Sequence, residues 1–409
     1  MGLTSARALS LSLSLCVCMC VCGLIQGRML SASDTLGAQQ HGSDALHRML
    51  RSGKKFVEEK DVVIVEDDTA RMKLVLTGDA ANADKSQDAL KALVTGVVVL
   101  LEGVAKDDGC FHAHCVDFVK PEPQRPIAFD AKARADHADA MNATGDPLVA
   151  LVSGLDIRNS SQLRLQLLID FLCGHSGGDE DQQRSARVVR VVVAGGALSM
   201  TGNFRHAVSR RETRGDLKAW LREVDMTLSE LASGVSVDVM PGEGEPTNHN
   251  LPQQPFHAML LPGLAKYTTS ARLATNPHCV TERGVSFIGT SGQNIRDVYR
   301  YSSLEDELDL LEHTLRWGNL APTAPDTLPC YPVADKDVFA MEEWPHVYFS
   351  GMMGEFGSRL VEGTDSNGGP CATRIVSVPD FSTTGQIAVV NLRTLECDAM
   401  MFDAVEMDA

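Results

Sequence analysis

Val237–Pro255 reads VDVMPGEGEPTNHNLPQQP. It begins as a buried strand and ends as a loop rich in Pro and Asn. Many α/β hydrolases carry metal ligands at such a strand-to-loop step, because carboxylate, amide and imidazole groups donate to dications. Here the loop offers Glu243, Glu245, Asn248 and His249. The other strand ends decide whether this is a metal site or only the scaffold of one.

Around this stretch the chain alternates strand and helix. Leu148–Ser153 and Val188–Ala194 are continuous apolar runs, the second ending in Gly195-Gly196. Between them SQLRLQLLIDFLC predicts a helix over 161–173, with Ser160 or Ser161 as N-cap. From Asp216, apolar residues fall at Leu217, Trp220, Leu221, Val224, Leu228 and Leu231, the period of an amphipathic helix. Later elements are strands at Val285–Ile288, His346–Ser350, Arg374–Val378 and Ile387–Leu392, and a helix over Ser303–Trp317. This order suits an α/β sandwich with mixed sheets.

Upstream, Val62–Val65, Met72–Leu76, Val97–Leu101 and Cys110–Val119 read as short strands separated by turns, and Gln87–Leu93 as a helix. Short strands with one helix suit a small OB-type barrel. Within the last strand GCFHAHC tempts a metal reading. At strand period Cys110, His112 and His114 share a face and Cys115 takes the other. No second Cys/His pair lies nearby in sequence, so a polar strand face is favoured. Residues 121–147, with KPEPQRP, read as a linker.

The chain has 409 residues and a net charge of −17. That length suggests two domains, and that charge argues against gripping duplex DNA unaided. The densest basic run, Arg205–Lys218 with Arg210, Arg211 and Arg214, reads as a solvated helix approach. The N-terminal MGLTSARALSLSLSLCVCMCVCGLIQG resembles a secretory signal and is short for a membrane span. Four of the eleven cysteines lie in it, at Cys16, Cys18, Cys20 and Cys22. The other seven are scattered, unlike a small disulfide scaffold. The sequons at Asn142 and Asn159 matter only for an exported chain.

The runs VDVMPGEGEPTNHNLPQQPFH, FIGTSGQN, DVYRYSSLED, LAPTAPDTLPCYP, PHVYFSG, VPDFSTTG and VVNLRTL together resemble the B-subunit family of eukaryotic DNA polymerases. LPQQP, GTSGQN and APTAPDTL resemble its delta-type members in particular. LVSGLD, VVVAGGALS and LVTGVVVLLEG match more loosely. The resemblance implies an N-terminal OB-fold followed by an inactive calcineurin-like phosphoesterase α/β sandwich, an α+β and α/β architecture. Expected boundaries are an apolar leader and polar linker over 1–50, the OB-fold-like domain and linker over 51–146, and the phosphoesterase domain over 147–409. The family's first OB strand is not evident, so either the OB-fold is incomplete or the gene start is misjudged.

An active phosphoesterase of this fold implies Asp-x-His after the first strand, Gly-Asp after the second, Gly-Asn-His-Asp/Glu after the third and a late Gly-His-x-His. At those places this chain has Gly154 and Asp156, then Gly196, then Glu243 and Gly244, then Met352. The bridging carboxylate and every histidine are missing, so no catalytic residue, metal or cofactor is expected. Prolines 241, 246 and 252 stiffen the loop, and Gly242 permits a tight turn. With Glu243, Asn248, Gln253, Gln254, Ser291, Gln293, Asn294, Pro322 and Asp326, these residues (Pro241, Gly242, Pro246 and Pro252 included) form a candidate partner surface.

By resemblance, the chain is a nuclear, non-catalytic accessory subunit. It would bind the C-terminal cysteine-rich module of the delta catalytic subunit and a third regulatory subunit, with DNA contact indirect or weak and no membrane role. The competing expectations are an active phosphoesterase and, through the leader, a secreted binding protein.

Overall fold

The computed structural model describes residues 15–24, 55–57, 61–67, 70–77, 92–127, 145–198, 211–333 and 336–403. The reading of 28–50 as linker, most of the helix over 87–93, the sequon at Asn142 and the basic residues 205–210 lie outside them.

Five strands close a barrel in the order β1-β2-β3-β5-β4. They are β1 (Leu15–Leu24), β2 (Val62–Glu66), β3 (Arg71–Leu76), β4 (Val98–Ala105) and β5 (Cys110–Asp117). β1 pairs antiparallel with both β2 and β4, with Cys22 opposite Ile64 and Cys18 opposite Leu100. This corrects the expectation of an incomplete barrel, since residues read as leader supply a wall. The run Cys-Val-Cys-Met-Cys-Val-Cys has the period of two that a strand requires, which the apolar composition masked.

The rest is layered. One sheet runs β16-β15-β6-β7-β8-β9. Its strands are β6 (Leu148–Val152), β7 (Val188–Ala194), β8 (Ser236–Met240), β9 (Ala271–Leu273), β15 (Gln386–Asn391) and β16 (Cys397–Met401). The other runs β10-β11-β12-β14-β13. It comprises β10 (His278–Glu282), β11 (Val285–Thr290), β12 (Val347–Met353), β13 (Gly357–Thr364) and β14 (Pro370–Pro379). β6 to β9 are mutually parallel, as are β11, β12 and β14.

The faces follow from alternation along each strand. Val191 and Val193 of β7 pack under helices α1 (Gln162–Leu172) and α3 (Arg211–Gly234), with α2 (Asp179–Ala186) between α1 and β7 in the chain. Val192 and Ala194 join Phe287, Phe349 and Val376 between the sheets. Tyr348 and Ile375, on the far face of the second sheet, pack with α4 (Gln293–Tyr301) and α5 (Glu307–Arg316). Barrel residues Val99, Leu101 and Phe111 belong to that same core. A short helix α6 (Phe381–Thr384) follows β14.

Several expectations change. The helix expected over 303–317 is α5 and begins only at Glu307, while α4 before it had no counterpart in the sequence reading. Ser161 occupies the N-cap of α1 without a side-chain cap bond, and the Ser160 hydroxyl donates instead to the Leu155 carbonyl. The stretch after Pro121 is partly docked, with the Gln124 amide donating to the carbonyls of Trp344, Pro345 and Ala372 at 3.1, 3.2 and 2.9 Å. On β5 a register shift opposite Glu102 and Gly103 leaves His114 and Cys115 both exposed, so they do not take opposite faces.

Candidate functional site

The C-terminal ends of the parallel strands of both sheets meet at one edge of the sandwich. Ser153, after β6, ties them together. Its hydroxyl donates to the Val378 and Pro379 carbonyls at 3.0 and 2.9 Å and accepts the Met352 N–H at 2.9 Å. Gly154 N–H donates to Gly195 O at 3.0 Å, and Asp156 N–H to Gly196 O at 2.9 Å. The positions where a phosphoesterase would hold ligands are therefore laced by backbone.

Two of them have no room for a side chain. Gly154 has φ +62°, and a Cβ there would lie 2.6 Å from Asp380 Cγ. Gly196 has φ +72°, and a Cβ there would lie 2.4 Å from Met352 Sδ and 2.8 Å from Gly154 Cα. Both demand glycine by conformation as well as by space. Met352 fills the gap between the strand ends from the far sheet.

The carboxylates are occupied. Both oxygens of buried Asp156 accept from the Asn159 side-chain amide, at 3.1 and 2.9 Å. Glu243 is half-exposed and pairs with Arg296 on α4 at 2.7 Å, whose charge lowers its pKa below the ordinary carboxylate range. Glu245 is buried, and its oxygens accept the backbone N–H groups of Gly242 at 2.5 Å, Leu198 at 2.9 Å and Gly196 at 3.2 Å. Burial pushes its carboxyl up to about 7, while those N–H groups pull the other way. Gly244 is exposed. No group of three or more His, Cys, Asp or Glu able to hold a metal occurs among the described residues.

The motif loops divide into buried struts and an exposed rim. The Gln253 amide donates to the carbonyls of Gly242 and Asn248 at 3.1 and 3.0 Å. Its oxygen accepts from Asn276 at 2.8 Å and Gln293 at 2.9 Å. Asn276 also donates to Ser291 Oγ at 2.6 Å. This amide network joins LPQQP to GTSGQN, and Asn276 is a member that sequence reasoning missed. ATNPH signals only a turn, so nothing local marked it.

Gln253, Ser291 and Asn294 are buried and cannot form a partner surface, as are Pro241, Gly242 and Pro322. The Asn294 amide donates to Leu320 O at 2.5 Å, and buried Asp297 accepts from Thr323 and Thr327 at 2.5 and 2.6 Å. These contacts fix APTAPDTL against α4. Pro246, Pro252 and Gln293 are half-buried, while Asn248 and Gln254 are exposed. Asn248 folds its own loop, its Oδ1 accepting the Gln254 N–H at 2.5 Å.

APTAPDTL also seats the barrel. Asp326, although exposed, accepts from Thr95 at 2.9 Å. A Cβ on Gly96 would lie 1.9 Å from the Pro322 carbonyl oxygen. Among described residues the barrel's aromatic rings, Phe111 and Phe118, pack on the core. Neither forms the exposed stacking platform that single-stranded nucleic acid uses.

A family model for the DNA polymerase alpha/epsilon B subunit matches residues 149–358, and one described as DNA polymerase delta subunit OB-fold domain matches 17–116. The chain is 38% identical over 354 residues to the DNA polymerase delta small subunit of Arabidopsis thaliana, covering 85% of this chain and 74% of that one. It is 33% identical over 358 residues to DNA polymerase delta subunit 2 of Drosophila melanogaster, covering 85% and 75%. It is 32% identical over 375 residues to the small subunit from Saccharomyces cerevisiae, covering 84% and 70%.

Proposed function

The chain belongs to the small-subunit family of DNA polymerase delta, and from that premise we propose that it acts as a rigid scaffold within the replicative complex. It is a non-catalytic accessory subunit of the polymerase delta complex, in company with the catalytic subunit. The phosphoesterase and secreted-protein alternatives find no support in these relatives. Nuclear replication is its setting, and no described helix is long and apolar enough to cross a membrane.

The finer reading concerns what the sandwich has become and what it holds. It is an inactive calcineurin-like phosphoesterase, with domain limits at 51–146 and 147–409 once β1 is added to the first. The observation that carries this is the closed strand-end edge. Gly154 and Gly196 stand where ligands would project, and neither place admits a Cβ without displacing Asp380 or Met352. A two-metal hydrolase needs cations about 3.5–4 Å apart with room for water and phosphate between them.

The exposed rim of Asn248, Gln254 and Asp326, with half-buried Pro252, then serves as a stiff contact surface, with Gln253 and Asn276 as its internal struts. Its occupants are the cysteine-rich C-terminal module of the catalytic subunit and a third regulatory subunit. DNA contact stays indirect, which agrees with the net charge of −17.

Co-expression of the full chain with the catalytic subunit tests the reading. The two are expected to co-purify through moderate salt, and Asn248→Arg with Gln254→Arg is expected to weaken association about tenfold or more while hydrogen exchange outside residues 247–255 stays unchanged. Undiminished association of that double variant would remove the rim from the proposal. Phosphatase turnover by the wild type that is lost in the Glu245→Ala variant would overturn the inactive reading.

A further inference from the structure

The loops after β7 and β8 converge on a point where three backbone N–H groups aim at one side chain. Gly196 and Leu198 supply two, and Gly242 the third, at 3.2, 2.9 and 2.5 Å from the Glu245 oxygens. Successive N–H groups turned inward in this way form a nest, an arrangement that binds anions through backbone dipoles. We propose that Glu245 is the resident occupant of an anion nest and that its carboxylate holds the ends of β7 and β8 together. A bridging metal pair would tie the same strand ends in a working phosphoesterase.

Three observations carry this. The side chain is buried, and no ion pair involving it occurs among the described residues, so the N–H dipoles are its direct partners. Neighbouring Glu243 points to the exposed side and takes the Arg296 charge instead. The backbone is shaped around the carboxylate: a Cβ on Gly242 would lie 2.9 Å from Gly196 N and 3.2 Å from Glu245 Oε2. Removing the acceptor would strand the buried N–H groups of Gly242, Leu198 and Gly196, each of which costs free energy when unpaired.

A nest that has lost its own carboxylate should accept a small one from solution. The inference does not rest on the partner surface, because its readouts are stability and exchange of this chain alone. The full chain is melted at pH 8 as wild type, Glu245→Ala and Glu245→Leu, with sodium formate titrated against sodium chloride at equal ionic strength. Glu245→Ala is expected to lose roughly 5–10 °C and to regain about half of that saturably with formate. Glu245→Leu fills the space without an acceptor, so it is expected to fall similarly and to show no formate-specific recovery.

Wild-type stability in Glu245→Leu, or an equal formate effect in all three proteins, would overturn the proposal. Should Glu245→Ala fail to fold, hydrogen exchange on the wild type decides. Slow exchange is expected in peptides covering 195–198 and 241–243, and exchange as fast as in the exposed loop 248–250 would refute the nest.

Discussion

Asp238 in β8 and Glu245 just beyond it are both buried carboxylates, yet they are held by opposite means. Asp238 lies among side-chain charges. Arg190 of β7 donates to one oxygen at 2.7 Å, and His278 of β10 meets the other at 2.9 Å. Arg190 also reaches Glu282 at 2.7 Å, so the cluster ties the two sheets together. Burial works against the charge on Asp238, but the His278 hydrogen bond and the Arg190 guanidinium outweigh it and bring its carboxyl below the ordinary range. Among the described residues Glu245 meets only backbone N–H groups, and there burial prevails. The contrast separates a carboxylate met by cationic side chains from one met, among the described residues, by backbone N–H groups.

The largest expected effect is Asp238→Asn. It leaves Arg190 and His278 without their buried carboxylate, a change that typically costs about 3–5 kcal/mol, read by denaturant unfolding near neutral pH. The pH sign follows from the lowered pKa of Asp238. Its stabilisation is present above the unfolded value of about 4 and is lost as pH falls below it. Acid unfolding of the Asp238→Asn variant should lack that component.

Next comes the glycine floor beneath Glu245. Gly196→Ala places a Cβ 2.4 Å from Met352 Sδ at φ +72°, which should cost about 2–4 kcal/mol in the same assay. Paired with Met352→Ala, much of the steric share should return while the conformational share stays. Full additivity of the two variants would show that they do not meet.

Glu245 should show the opposite pH sign. Its pKa is raised to about 7 in the folded chain, so its contribution is most favourable below the unfolded value of about 4.5. That contribution declines as pH rises through 7, by up to about 3 kcal/mol, and the part supplied by the three N–H bonds remains at pH 8. Glu245→Gln carries no charge at any pH and should flatten this slope. A wild-type profile that rises between pH 5 and 7 relative to Glu245→Gln would erase the contrast with Asp238.

The smallest effect belongs to the amide struts. Gln253→Leu leaves Asn276 and Gln293 short of an acceptor and is expected to cost about 1–3 kcal/mol. The loss should appear first as faster exchange in residues 248–254, because the strut fixes a loop rather than a sheet.

The legibility of the sequence varied with how local each signal was. Strands such as Val188–Ala194 were plain because a fully buried strand is a continuous apolar run. Gly154 and Gly196 could be singled out because the resemblance supplied an order to compare against. Strand β1 was hidden because an apolar run with a charged start has the composition of an export signal, and its pairing with β2 and β4 is not local to that run. Short edge strands such as β9 and β16 lacked length. Gln253 and Asn294 were read as surface because amides usually are, and burial of a satisfied amide depends on distant partners such as Asn276 and Leu320. The role of Glu245 was invisible for the same reason, since its partners are main-chain groups of residues 196–198 and 242.

Barrel and sandwich share one apolar seam, in which Leu101 and Phe111 lie in the same cluster as Ile295, Leu310 and Tyr348. Separating the two by recombinant truncation would leave each half with a greasy, water-exposed scar. The intact chain should therefore melt in a single calorimetric event, and either half made alone should need detergent or a chaperone to stay in solution.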